Sequence, residues 1–196
     1  VGAAGRRGGG GPGGVAAARA RRDAITCGAS GVGGAGHVGG ALLDSMADIK
    51  TVHVPYRGGG QLITDIISGK VDFSIATAAT VLPHIESGRL RALAVPTARR
   101  SPLLPNVPTV AEAANLPGFE VANWYGMMGP RGLPRPIVER VHGALVESLR
   151  DPDVVAALAS HGLEPAPSTP EEFTEIIRAE TAKWRPILAR AGANAN

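Results

Sequence analysis

The stretch VHVPYRGGGQLITDIISGKVDFSIA, residues 52–76, decides the fold. Thr51–Val54 is a short run rich in β-branched residues and reads as a strand. Pro55–Gly60 (PYRGGG) reads as a loop, because proline lacks a donor and three glycines favour a turn. Gln61–Ser68 reads as a helix ending at Gly69, and Val71–Ala76 as a second strand. A strand, a short loop, a helix and a strand make a βαβ unit, with parallel strands and a helix packed on them.

The same alternation extends on both sides. Upstream, Ala24–Gly28 is a strand candidate, Ala29–Gly36 is glycine-rich, and His37–Met46 reads as a helix. Downstream, Ala79–Ser87 reads as a helix ended by Gly88, and Leu90–Val95 as a strand. Residues 24–95 therefore predict an α/β fold with a parallel sheet. Pro102, Pro105, Pro108 and Pro117 then interrupt the chain and leave room only for a short helix at Val110–Ala114. Phe119–Met128, carrying Trp124 and Tyr125, reads as a strand-like run, and Pro130–Pro136 as a loop.

The last third is helical. Pro136 stands at a helix start, and Val138, Val141, Leu145 and Leu149 make an apolar stripe at helical spacing. Asp151-Pro152 opens a second helix closed by Gly162. Thr169-Pro170-Glu171-Glu172 has the form of a capping box. The final helix is expected to carry Phe173, Ile176, Ile177 and Trp184 inward, and Pro186 is expected to kink or end it.

Composition is uneven along the 196 residues. Fifteen of the 27 glycines lie in residues 1–40, whereas all seven aromatic residues lie at or after Tyr56. Residues 1–22 hold five arginines and no acid, so a chain of net charge +3 carries −2 over the remainder. The basic character belongs to a Gly/Ala/Arg head, residues 1–23, and not to a folded face that would grip nucleic acid. That head also lacks the aromatics that stack on bases, and its composition predicts no part in the main sheet. A single cysteine, Cys27, excludes an internal disulfide and a cysteine-ligated zinc cluster; in its apolar strand it reads as a core residue. No apolar run approaches the ~20 residues of a membrane-spanning helix. No cationic segment followed by an apolar one, as in a secretory signal, stands at Val1.

Catalytic signatures are missing. The histidines at 37, 53, 84, 142 and 161 show no metal-ligand spacing, and no nucleophile elbow or phosphate-loop lysine occurs. Gly31–Gly36 (GVGGAG) matches the dinucleotide pattern GxGxxG after a strand candidate, with Arg57 placed to meet the 2′-phosphate of NADP. The same glycines support a less specific reading, in which a Gly-rich turn and a helix N-terminus expose amides to an anion. Two further strand–helix junctions, Pro55–Gly60 and Ala76–Thr80, would lie beside it at the carboxyl edge of a parallel sheet, where ligands bind. Candidate ligand residues on this reading are Gly31, Gly33, Gly34, Ala35, Tyr56, Ala76 and Thr77.

The order of VPYRGGG (54–60), LPHIESGRLRALAV (82–95), LPNVPTVAEA (104–113), NWYGMMGPRGLP (123–134) and STPEEF (168–173), with TCGASGVGGAGHVGGALL (26–43), resembles the substrate-binding proteins of the tripartite tricarboxylate transporters, the Bug family. The resemblance covers about residues 24–193. It implies a two-lobed, periplasmic-binding-protein-like (type II) α/β receptor that closes on a small carboxylate and passes it to membrane transporter subunits, with no cofactor and no catalysed reaction. It implies that residues 24–122 form a complete second lobe and residues 123–196 the returning helical part of a partial first lobe. It implies that the ligand carboxylate is held by the loop at Ser30–His37 and the junction at Ala76–Thr77, which adds Ser30 and His37 to the candidate ligand residues and makes nine. The family's signal peptide and first-lobe ligand loop have no counterpart here, so an N-terminally incomplete receptor is expected, with weakened binding. Exposed C-terminal helices are expected to self-associate. Side-chain donors are sparse in the glycine loop, where the family has Ser, Thr or Asn and this chain has Val32, Gly34, Ala35 and Gly36. The open alternatives are an NADP-binding enzyme domain built on Gly31–Gly36 and an orphan fragment that binds nothing.

Overall fold

The computed structural model describes residues 1–4 and 25–190. The chain divides into two compact units, residues 1–123 with 184–196, and residues 124–183.

The first unit is built on a five-stranded sheet. Its strands are β1 (Gly2–Ala3), β2 (Thr26–Ala29), β3 (Val52–Pro55), β4 (Phe73–Ser74) and β5 (Leu90–Arg91), in the order β3-β2-β4-β1-β5. β2 pairs in parallel with β3 (Cys27 opposite His53, Gly28 opposite Val54) and with β4 (Cys27 opposite Phe73). The sheet is not all parallel. Gly2–Ala3 runs antiparallel to both β4 and β5, with Gly2 opposite Phe73 and Arg91. This corrects the expectation that the head stays out of the sheet. β4 and β5 leave a gap that needs a third ladder, and two small residues are enough to bridge it. The rest of the head, residues 5–24, lies outside the described residues.

The helices of this unit are α1 (Ala35–Ala47), α2 (Gly59–Ile67), α3 (Ala78–Glu86) and α4 (Val110–Ala114). Alternation along β2 sorts them onto two faces. Gly28 faces α2, and a Cβ there would stand 2.3 Å from Leu62 Cδ1, so only glycine lets the helix approach. On this face Leu62, Ile63, Ile66, Val71, Val81 and Leu90 form one core cluster. Cys27 faces α1, where Leu42, Ala47, Leu116, Phe119 and Val121 form the other, joined by Trp184 and Ile187. Each fully buried aliphatic or aromatic side chain contributes roughly 1.5–3 kcal/mol. α4 starts with a capping box, Glu112 N–H to Thr109 Oγ1 at 3.1 Å and Thr109 N–H to Glu112 Oε2 at 2.8 Å.

Residues 119–128 form no strand. Phe119 and Val121 are buried and the Val121 N–H donates to Pro96 O at 2.8 Å, but no ladder follows, and Tyr125, Met127 and Met128 are exposed. Pro96, which accepts from Val121, has no N–H to donate in return.

The second unit contains the extended run 124–134, α5 (Arg135–Ser148), α6 (Pro152–Ser160) and the start of α7 (Pro170–Arg190). Asp151 caps α6 through the amides of Asp153 and Val154, and Thr169 and Glu172 cap α7 reciprocally. Trp124 and Phe173 meet edge to face, with centroids 5.4 Å apart. No described residue of this unit is fully buried. Val141 of the expected stripe is 42% exposed and Ile176, expected inward, is 40% exposed. α7 also continues past Pro186 to Arg190, so the proline does not end the helix. Proline removes one helix bond, and the packing of Trp184 and Ile187 on the core of the first unit holds the helix on either side.

Candidate functional site

Parallel pairing puts the carboxyl ends of β2, β3 and β4 at one edge of the sheet, and a helix starts just beyond each. The Tyr56 amide donates to Ala29 O at 2.8 Å, which sets the second junction beside the first. Gly36 approaches Ile75 so closely that a Cβ would stand 2.5 Å from its carbonyl oxygen. A Cβ on Gly59 would stand 3.0 Å from the Thr80 methyl, which joins the second junction to the third. The segments 30–36, 56–60 and 75–80 therefore form one edge.

What the three helix starts share is the lack of a cap. Gly34, Gly58 and Thr77 are the N-cap residues of α1, α2 and α3; none accepts a side-chain cap bond, and no first turn carries an acid. Of the other helices, α4, α6 and α7 have first amides satisfied by Thr or Asp side chains, whereas α5, which follows Pro134 in the second unit, has no side-chain cap. Among the described residues no side chain caps these first-turn amides at the sheet edge, although the Thr80 N–H reaches Thr77 O at 3.1 Å, and three positive dipole ends add to them. Arg57, exposed and without a partner among the described residues, adds a full positive charge at the same edge.

The nine predicted residues take different places here. Ser30, Gly34 and Thr77 are exposed, and Gly31 and Ala35 half-buried, in the loop and at the helix starts; Ala76 is half-buried between β4 and α3. Gly31 (φ +156) and Gly33 (φ +77) adopt backbone angles that suit glycine. The Gly33 N–H is taken by His37 Nδ1 at 3.1 Å, so these two residues close the loop on itself. The Tyr56 hydroxyl donates to Asp65 Oδ2 at 3.0 Å, and burial together with that carboxylate raises the phenol above its usual range. Tyr56 thus offers a ring wall and not a donor. Thr77 Oγ1 lies 2.8 Å from Thr80 Oγ1, so the two threonines of the Ala76–Thr80 junction form a hydroxyl pair.

Behind the loop lies a polar cluster that spacing alone does not reveal. His53 Nε2 stands 3.1 Å from Asp44 Oδ2, and Asp44 also accepts from the Thr51 amide and hydroxyl. Cys27 is fully buried beside it, and burial first, then Asp44, pushes its thiol up to about 12. Among the described residues no group of three or more His, Cys, Asp or Glu is placed to hold a metal ion, and no helix is long and apolar enough to cross a membrane. A separate cleft of about 410 Å3 lies within the second unit, lined by Leu133, Val138, His142 and Arg135. Arg135 there is already paired with Glu139 at 2.8 Å and Glu171 at 3.4 Å.

Comparison with known proteins gives this edge its context. Residues 13–193 match the family described as tripartite tricarboxylate transporter family receptor. The chain is 38% identical to the UPF0065 protein in the tcbD-tcbE intergenic region of Pseudomonas sp. (strain P51), over 92% of this chain and 54% of that one. It spans about half the length of most curated relatives it matches. Among solved structures it is similar to Rpa4515 of R. palustris with adipate (TM-score 0.80, 32% identity, 91% of this chain and 59% of that one). It is also similar to MatC (Rpa3494) from Rhodopseudomonas palustris with bound malate (TM-score 0.82, 26% identity, 95% and 64%). The fold is thus that of periplasmic solute-binding proteins, mixed α/β, here over part of their length. With the family matched over nearly the whole chain, and relatives and folds in agreement, the chain belongs to the tripartite tricarboxylate transporter family of receptors.

Proposed function

We propose that this chain is the carboxylate-holding part of a periplasmic receptor that presents a small carboxylate to membrane transporter subunits of the tripartite tricarboxylate type. It binds and releases, and it catalyses no reaction and uses no cofactor. The observation that carries the reading is the convergence of three uncapped helix N-termini at one sheet edge, in a chain whose structural neighbours hold adipate and malate. An ionised carboxylate is acceptor-only, and unsatisfied amides at positive dipole ends are what it requires. Gly31, Gly34 and Ala35 supply amides, Ser30 and Thr77 supply hydroxyls, Ala76 sets the junction, and Tyr56 walls it. Gly33 and His37 hold the loop that carries them.

All these donors come from one side of the ligand. Charge-assisted hydrogen bonds contribute roughly 1.5–3 kcal/mol each, so losing several from a facing set turns micromolar binding into millimolar. The 196-residue chain is therefore expected to bind carboxylates weakly. Calorimetry and fluorescence-detected melting against mono-, di- and tricarboxylates test this, with NADPH as the rival ligand. Millimolar binding of carboxylates is expected. Protection by NADPH alone would replace the reading with the dinucleotide one, and a micromolar carboxylate would remove the claim of weakened binding.

A further inference from the structure

The glycine loop is tied back to the helix that follows it. Gly33 donates its N–H to Nδ1 of His37 at 3.1 Å, and Gly33 sits at φ +77. An accepting Nδ1 leaves the imidazole proton on Nε2, so the bond requires a neutral ring. The His37 ring stands edge-on to that of His53, with centroids 5.3 Å apart and planes at 82°. His53 on β3 binds Asp44 of α1, and its own Nδ1 is buried with no partner among the described residues. The buried thiol of Cys27 on β2 lies close by, since a Cβ on Gly40 would stand 2.9 Å from both Cys27 Sγ and His53 Cε1. Among the described residues these are the titratable groups around His37. The nearest, His53, disfavours positive charge on His37.

We infer that His37 is a positioning residue for ligand binding: its neutral ring latches the 30–36 loop in the conformation that carries the first-turn amides of α1, and protonation releases the latch. The inference rests on the carboxylate reading of the site. Once protonated, Nδ1 carries a hydrogen that faces the Gly33 N–H, so two donors oppose each other and the loop loses its tether. Burial first, and then His53, lower the pKa of His37, which keeps the latch closed at neutral pH and places release in mildly acidic solution. The imidazolium would itself attract a carboxylate. At a half-exposed position, however, water and salt screen that charge, while the lost tether is not compensated. Affinity therefore falls on acidification.

The test uses the full chain, as wild type, His37→Asn and His37→Phe, with tartrate as the probe because it stays ionised over the range used. Asparagine Oδ1 can take the place of Nδ1 as acceptor and cannot be protonated; phenylalanine keeps the ring and loses the acceptor. Hydrogen exchange and chemical shift of the Gly33 amide are followed by NMR from about pH 8 to about pH 5.5, together with tartrate affinity. In the wild type the Gly33 amide loses protection as the His37 ring titrates, and affinity falls roughly fivefold, the worth of one hydrogen bond. His37→Asn is flat in both readouts, and His37→Phe is unprotected and weak throughout. A Gly33 amide that ignores the titration of the ring overturns the latch, as does an unchanged pH dependence in His37→Asn or a tartrate affinity that rises on acidification. If tartrate perturbs none of the three proteins, the carboxylate reading fails, and the Gly33 amide alone decides the latch.

Discussion

Gly36 and Ile75 stand in contact across the mouth of the candidate site, the start of α1 set against the carbonyl at the end of β4 so that a Cβ on Gly36 would lie 2.5 Å from it. This approach joins the glycine loop to the Ala76–Thr77 junction. The obstacle is a backbone oxygen, which cannot swing away as a side chain would. Gly36→Ala is therefore expected to destabilise the chain by roughly 1–3 kcal/mol, as overpacking does. Gly60→Ala, inside the first turn of α2 and with nothing within 4 Å of its Cβ, is the control and should be neutral or slightly stabilising. Urea denaturation of the two variants checks the contrast; equal stabilities would remove the close approach.

Capping predicts two separable losses. Thr109→Ala removes the cap of α4 in the first unit, and Thr169→Ala that of α7 in the second. Each is expected to cost about 1 kcal/mol. Hydrogen exchange resolved by segment should locate the first loss near residues 110–114 and the second near residues 170–176. A loss spread evenly over the chain in both cases would argue against local capping.

Cys27 provides an internal reporter. It is fully buried and its thiol is raised to about 12, so at neutral pH it is inert until the first unit opens. A thiol reagent should label it at the rate of global opening, slowed by anything that stabilises the fold. The sign with pH follows from the raised value: burying the thiol costs nothing while it is protonated, and stability is lost as pH rises above the ordinary thiol range toward about 12. Rapid labelling in native buffer would place Cys27 outside the core.

How much of this was legible in sequence depended on how local the causes were. The βαβ pattern at 52–76 was readable because strand, glycine turn and helix succeed one another, and the capping box at Thr169 because its partners lie three residues apart. The equivalent box at Thr109–Glu112 carried the same signal within a proline-rich stretch and passed unread. β1 was not legible, since Gly2 pairs with Phe73 and Arg91, far along the chain, and nothing in a Gly-Ala pair announces a strand. The run 119–128 has strand-forming composition but joins no ladder, which only the fold reveals. At the site, the glycines and Thr77 could be named from spacing. The diversion of the Gly33 amide to His37 and of the Tyr56 hydroxyl to Asp65 is a matter of three-dimensional approach.

The second unit should be the softer one. Its helices bury no described residue fully, and Tyr125, Met127, Met128, Ile137 and Val141 are more than 40% exposed. Apolar area left in water forfeits roughly 25 cal/mol per Å2. Residues 124–183 are expected to exchange faster than the strands and α2 of the first unit, and the chain to self-associate as concentration rises. Segment-resolved exchange with light scattering over a dilution series checks both. Uniform protection in a strict monomer would contradict them.

The central claim is that the edge formed by 30–36, 56–60 and 75–80 receives a carboxylate. Amide mapping by NMR tests it most directly, with assigned resonances followed during titration with malate, adipate and tartrate into the millimolar range. Perturbations are expected to concentrate at Ser30–His37, Gly58–Gly60 and Ala76–Thr80, saturable and reduced by added salt. Perturbations confined to residues 124–183, or none at any concentration, would contradict it.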